Sequence, residues 1–587
     1  MSCLAKVTYH RRMLPYLIIG VFGVTMMTES PAPAQTTPPL TPSRVDVASP
    51  HAVTPQPSLS PTLQSNSGRS KDLPRHKFKL DDQTRNRLAA SALTAPAPSA
   101  PQTQLSLADD KGGASKPART QASFAGANQF MFELAPLDPP DTTLAASANR
   151  VIEAVNSGLR ITDFGGKSEQ RIDLASFFGE AQGEFMFDPR VIYDRNSPNQ
   201  RFIVATLHRP FNTPEPESWL HIAVSRSAQP ATLNPADWCT YKIDARHFDP
   251  DIDGLGNPGY RWADFTRIGT GPDALMVTTN EFPFGLIGGI FTQLRVLNKT
   301  LLENNAAACP AAPVYTFDLS SQPENLTSSF TAFPVQHYTN PSLFSGTSNS
   351  AYLIGNGLFA TRDYTIWRVK NVATGSPTVD FIHVNSDIVL PLSPMPPAKQ
   401  FGTVNLLESG DPRISGTAAI GDALWATHGN TCNVGGGEEE SCVVVLRFTV
   451  GQDTAGRMTA AISQSHTFGG AQDGVSFWMP GIALTQQEQT VVTFQTSSPT
   501  SYLSTWYTSK NLTDLAYQTP TALTTGTCAI PDQPPFVFEA RTGDYVGAMS
   551  APDLKSVWIA GERLIPFPPE FGVNSCIWDT WIGRVGP

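Results

Sequence analysis

Two sets of acidic residues in this sequence have types and spacings that could do chemistry. The first is Asp249-Pro-Asp251-Ile-Asp253-Gly254-Leu-Gly-Asn257. Carboxylates at alternating positions, a Gly for a tight turn and an Asn in ninth place give hard oxygen ligands closing on one point, as a loop does around Ca2+. The twelfth position is Tyr260 rather than Glu, so the loop is not an EF-hand. The competing reading is a plain Asp/Gly-rich surface turn. We take Ca2+ on Asp249, Asp251, Asp253 and Asn257 as the expectation to test.

The second set is Asp141, Asp188, Asp264, Asp411 and Asp544, with Arg190, Arg267, Arg413 and Arg541 close by in sequence. Each Asp heads an apolar strand. If those strands surround one axis, the carboxylates ring its mouth and could act as acid, base or ligand. The structural alternative is that each Asp caps the turn into its strand and pairs with its Arg. A feature repeated in most units usually serves the unit, whereas catalysis needs asymmetry. Other signatures are missing: there is no Gly-x-Ser-x-Gly, no HExxH and no phosphate loop, and the ten His are scattered.

The elements that would position these residues are hairpins. Phe187–Leu207 reads as a short apolar strand, a turn rich in Asp, Asn, Ser and Pro, and a second apolar strand. Similar hairpins begin near Asp141, Asp264, Asn340, Asp411, Phe477 and Asp544. From the second onward the starts are 76, 76, 71, 66 and 67 residues apart, and the first interval is 47. A period of this size with four short strands per unit predicts an all-β, seven-bladed β-propeller, with six blades as the alternative. The terminal strand Trp578–Val585 should belong to the last blade, with Phe130–Leu134 supplying its fourth strand. Trp219, Trp262, Trp367, Trp425, Trp478, Trp506 and Trp558 fall mostly on strands and read as core.

Composition agrees: 587 residues, 16% charged, with 51 Pro and 44 Gly, suit a turn-rich β protein. Residues 1–34 have the three parts of a secretory signal peptide: basic residues, the apolar run Met13–Met27, and Ala32-Pro-Ala34. Residues 35–129 are Pro-, Ser- and Thr-rich with a basic patch from Arg69 to Arg87, and predict a disordered tether. Residues 1–129 carry a net +7 and the remainder −17, so residues 130–587 form the acidic propeller. Six Cys follow the signal peptide and predict an oxidising compartment. Cys432–Cys442 is the safest pair; Cys528–Cys576 and Cys239–Cys309 follow by neighbourhood.

Phe187-Asp-Pro-Arg-Val-Ile-Tyr-Asp194, Asp264-Phe-Thr-Arg-Ile-Gly269, Arg541-Thr-Gly-Asp-Tyr545 and Trp581-Ile-Gly-Arg584 resemble exported bacterial propeller proteins loosely grouped with sialidase-type propellers, most without an assigned activity. The resemblance runs from about Leu137 to Pro587 and implies the fold. The Ser-x-Asp-x-Gly-x-Thr-Trp boxes of sialidases do not occur, so it does not imply their chemistry. The expectation is a secreted, periplasmic or cell-surface monomer, with no nucleic-acid partner and no transmembrane helix after signal removal. Its main functional reading is a non-catalytic module binding glycans, envelope polymers or another cell-surface partner. The alternative is a glycan-active hydrolase or lyase with its site at the channel mouth, which asymmetry among the carboxylates would favour.

Overall fold

The computed structural model describes residues 39–48, 117–129, 131–132 and 139–587. Within the last range it leaves out 182, 197–198, 211–212, 214, 253–254, 285–290, 305–308, 320–330, 339–349, 358–362, 389, 391–394, 434–437, 470–473, 531–539 and 567–575. The signal-peptide and basic-patch expectations, and Asp253, lie outside the described residues. No helix among the described residues is long and apolar enough to cross a membrane.

Seven antiparallel sheets carry the chain, and the expected seven-bladed β-propeller is what they form. Their inner strands are Thr143–Ala146, Met186–Asp194, Gly259–Thr270, Ala332–Pro334, Ile414–Ile420, Ser476–Leu484 and Gly547–Ser550, in blades one to seven. Each inner strand packs on that of the next blade, and the seventh returns to the first. The strands of one blade are therefore covered on both faces. Met186–Asp194 and Arg201–His208 are buried at every position, whereas the outer strand Met458–Gly469 alternates. Trp262, Trp367, Trp425, Trp478, Trp506 and Trp558 are buried as expected, and Trp219 is half-buried.

Ring closure differs from the sequence expectation. The fourth strand of blade seven is Arg119–Asn128, not Phe130–Leu134; it runs antiparallel to Cys576–Gly586. Its sequence, with Arg119, Thr120, Gln121 and Ser123 exposed and Phe124 as its one large apolar residue, lacks the apolar run that marks an inner strand. A second strand within the expected tether, Arg44–Ala48, pairs with Ala312–Asp318 at the outer edge of blade three. The propeller thus begins before residue 130. The buried carboxylate of Glu153 in blade one ties this closure down: it accepts from Ala127 N (2.8 Å) and from the Thr580 hydroxyl (2.5 Å).

The three expected disulfides are present. Cys239–Cys309 joins blades two and three, Cys432–Cys442 closes a hairpin of blade five, and Cys528–Cys576 joins blades six and seven. Their Cα separations are 5.2, 5.9 and 5.9 Å. Such bridges fit an oxidising environment.

Removing residues 1–116 takes the outer edge strand Arg44–Ala48 and should lower thermal stability only modestly. Removing 1–129 takes the closing strand, exposes an unpaired edge and strips Glu153 of a donor, and should lower Tm by on the order of 5 °C or more. Thermal melts of the two truncations check this; equal melting would show that the closing strand is dispensable.

Candidate functional site at the channel mouth

Several inner strands enter the channel through a kink, and the kink decides where their side chains point. In blades two, three and six the ladder skips two residues, between Phe187 and Arg190, Asp264 and Arg267, and Trp478 and Gly481. Left-handed backbone marks these kinks: Asp188 (φ 52°), Phe265 (φ 58°) and Met479 (φ 47°), with Asp141 (φ 48°) in blade one. Non-Gly residues held there are strained, a feature common at functional sites.

Register at the kink divides the aspartates. Asp141 and Asp188 are themselves the left-handed residues, whereas Asp264 stands one residue earlier and the kink falls on Phe265. Asp544-Tyr545 in blade seven repeats the Asp-aromatic order of Asp264-Phe265, while blades two and five carry Asp-Pro-Arg. The ring is not uniform.

Asp141 and Asp188 are buried and latch neighbouring blades. Asp141 accepts from Asp544 N (2.6 Å) and from the Asn156 amide (2.7 Å). Asn156 Oδ1 in turn accepts from Asp188 N (2.9 Å), and Asp188 Oδ2 accepts from Phe265 N (2.8 Å). This relay crosses blades seven, one, two and three. Asn356 plays the same part between blades four and five, accepting from Ile414 N at 3.1 Å. Asp411 is held by Arg413 of its own loop (2.7 Å).

The expected pairing of each Arg with its Asp holds for Asp411–Arg413 and Asp544–Arg541 (2.6 Å) but not for the rest. Arg190 and Arg267 stack instead. Arg190 lies 3.3 Å from the centre of the Tyr545 ring, Arg267 4.7 Å from that ring and 3.4 Å from Phe265, and Arg413 4.2 Å from Phe265. Blades two, seven, three and five thus build an alternating cation–aromatic plug across the channel. Below it the inner strands enclose a cavity of about 70 Å³, lined by Thr143, Arg190, Gln336, Tyr338 and Met549 among others. That is room for a few waters.

Asp264, Phe265, Asp411, Arg413, Arg541 and Asp544 are the half-buried members of this group. Burial and then the nearby Asp188 carboxylate push the Asp264 acid up to about 8. Burial and then Asp544 push Asp188 to about 6, and Asp141 is raised by the same two causes. At Arg541, burial is outweighed by the charges of Asp544 and Asp141, which hold its guanidinium protonated. One carboxyl kept as an acid beside a carboxylate paired with a guanidinium is the arrangement that general acid–base chemistry uses.

The expected Ca2+ loop is the turn of a hairpin, His247–Asp249 with Gly259–Arg261, that rises from blade three beyond the mouth. Asp249 Oδ2 is paired with Arg261 (2.6 Å), and its Oδ1 accepts from Asp251 N (2.9 Å). Asp251 Oδ1 accepts from Gly256 N (2.6 Å) and the Asn257 carbonyl from Ile252 N (2.9 Å). Asp249 and Asp251 are thus engaged by protein donors. Phe248 and Tyr260 face each other on the same hairpin, 5.5 Å apart and exposed.

Among the described residues, three metal-capable side chains converge in one place the sequence reading did not single out: Glu180, His208 and His221, all in or leading into blade two.

No family model matches the chain, and no curated protein matches it. Solved structures with a similar course include an α-L-arabinofuranosidase of Fusarium graminearum in complex with arabinobiose, at 12% identity over 78% of this chain and 97% of that one (TM-score 0.33). A Cellvibrio cellulosa α-L-arabinanase complexed with arabinohexaose shares 10% over 56% and 94% (TM-score 0.25). Trypanosoma rangeli sialidase shares 11% over 75% and 59% (TM-score 0.29). Likenesses this distant leave the chemistry to the residues of the mouth.

Because the folded-state pKa of Asp264 is raised, its contribution to stability is full below about pH 4 and is lost as pH rises toward 8. Asp264→Asn, which mimics the protonated acid, should match the wild type at low pH and exceed it near pH 8. Denaturant midpoints across that range check this; parallel curves for the two proteins would refute the raised acid.

Proposed function

We propose that this chain is an exported propeller hydrolase acting on glycans at the channel mouth. The single observation that supports this reading is the break in ring symmetry, which sets an acid, Asp264, against the Arg541-paired Asp544. In this reading Asp264 protonates the leaving oxygen, and Asp544 is the base or nucleophile. Arg413 and Arg541, half-buried beside them, meet the polar groups of the sugar, and the exposed Phe248 and Tyr260 rings offer an apolar face beside the mouth.

The binding-module reading draws on a different observation. Asp141 and Asp188 are consumed by blade-to-blade bonds, and the cation–aromatic plug closes the channel. Those features serve the ring itself and require no catalysis.

A hydrolysis screen of the purified propeller on neutral and acidic polysaccharides, paired with a glycan array, separates the two readings. The expected result is turnover by wild type, reduced about 10²–10⁴-fold in Asp264→Asn and in Asp544→Asn with array binding retained. Array binding without turnover of any polysaccharide would leave the non-catalytic module standing.

Ca2+ at the hairpin loop is a separate proposal, resting on Asp251, Asp253 and Asn257 now that Asp249 is committed to Arg261. Melting temperature should rise with Ca2+, by about 2.7 kcal/mol of stabilisation at a hundredfold excess over Kd. The change Asp251→Asn plus Asp253→Asn should abolish the rise. A melting curve that chelator leaves unmoved would reduce the loop to a plain turn.

A further inference from the structure

Blade two carries a group of side chains that neither the mouth nor the ring uses. Strands Arg201–His208 and Trp219–Ser225 pair so that Thr206 faces His221, which places His208 and His221 diagonally adjacent on one face. Both rings are buried, at 2% and 1% exposure, with centres 5.5 Å apart. Glu180 reaches them from the connection between blades one and two. It follows the short helix Leu174–Phe178, capped by the Asp173 side chain at its start and by left-handed Gly179 at its end. Phe178 of that helix packs on His221, with ring centres 5.2 Å apart.

The donor atoms face one another. His208 Nδ1 lies 3.8 Å from Glu180 Oε2, and His221 Nε2 lies 3.6 Å from Glu180 Oε1. One atom from each of the three side chains falls within 4.8 Å of the others. Two ligands about 2.1 Å from a tetrahedral ion stand about 3.4 Å apart, so small rotations would close the site.

Two further observations point to an ion. His208 Nε2 is 3.1 Å from the Glu184 carboxylate, a contact that assigns the ring proton to Nε2. This leaves Nδ1 as a bare lone pair aimed at a second carboxylate, and Nδ1 is buried with no hydrogen-bond partner. A lone pair and a carboxylate facing each other at 3.8 Å repel unless a proton or a metal cation sits between them. Lys242 Nζ, 2.8 Å from Glu180 Oε1, holds that oxygen but does not reach between Nδ1 and Oε2 by any contact in the structure.

We propose that Glu180, His208 Nδ1 and His221 Nε2 bind a divalent transition-metal ion of the Zn2+ type, with Glu184 orienting His208 from behind. Two imidazoles and one carboxylate suit Zn2+, Co2+ or Ni2+ and disfavour Ca2+ and Mg2+, which take oxygen ligands. Three protein ligands leave a fourth position for water. The ion would pin the connection that leads from blade one into the strand bearing Asp188, on the same end of blade two as the mouth: Met186, two residues before Asp188, pairs with His208. The proposal stands apart from the hydrolase reading and does not need it.

The test uses the untagged mature chain, stripped with chelator, dialysed, and titrated with ZnCl2 and CoCl2. One equivalent of Zn2+ should be bound per chain, with a rise in Tm, and Co2+ should show the visible absorption of a four-coordinate site. CaCl2 should not compete. Glu180→Gln and His208→Gln should lose stoichiometric binding while the stripped proteins keep the wild-type circular dichroism and Tm. Glu184→Gln should weaken binding about 10–100-fold. If His208→Gln does not fold, the half-buried Glu180→Gln decides alone. A stripped wild type that takes up no Zn2+ or Co2+ overturns the proposal, as does unaltered binding by Glu180→Gln.

Discussion

The backbone ladder between Arg119–Asn128 and Cys576–Gly586 joins an early segment of the chain to its last strand, and it turns seven open sheets into a ring. Without it blade seven would present an edge of unpaired N–H and C=O groups. The inner strands would also lose the pressure that keeps both their faces covered. Glu153 shows how tightly this closure is bound to the core: one buried carboxylate from blade one is satisfied by both partners of the closing ladder. The Cys528–Cys576 bridge ties the same last strand to blade six.

A closed ring forces its inner strands to meet at one axis, and there the chain concentrates charge that it would otherwise keep in water. Burying carboxylates and guanidiniums without partners is costly, so each is given something. Asp141 and Asp188 receive backbone N–H groups of neighbouring blades, Arg190 and Arg267 receive aromatic faces, and Asp411 and Asp544 receive arginines. Asp264 is the least compensated of the set, accepting a single bond from the next backbone N–H at 3.0 Å. Burial and then the nearby Asp188 carboxylate raise its pKa to about 8, with little hydrogen bonding to offset them. The same residue type, repeated around one axis, thus divides into latches between blades, arginine-paired members and one carboxyl with a single backbone donor.

Blade two illustrates a second use of the fold. Propeller strands place side chains on faces that neighbouring connections can cover, and the helix Leu174–Phe178 brings Glu180 onto such a face. The result is a compact donor set within one blade, built by hairpin register and one short connection.

Hairpin periodicity, the polar turns and the low charge were enough to determine an all-β ring of seven units, because a strand buried on both faces must be apolar throughout and its turns must be polar. Sequence neighbourhood also named the three disulfides, since each joins adjacent blades or the two strands of one hairpin. The difference between Asp264-Phe265 or Asp544-Tyr545 and the Asp-Pro-Arg copies was visible in the letters. Its meaning was not, because it depends on backbone conformation and partners: Asp188 is itself left-handed, the kink of blade three falls on Phe265, and Asp411 and Asp544 pair with arginines. The closing strand escaped for a related reason: Arg119–Asn128 is a half-exposed outer strand with little apolar content, and its partner lies more than 450 residues away. His208 and His221 are separated by a turn of irregular length, and Glu180 comes from another element, so no spacing rule marks them. Local pattern sets which segments become strands, whereas register across strands and the packing of blades decide which side chains meet.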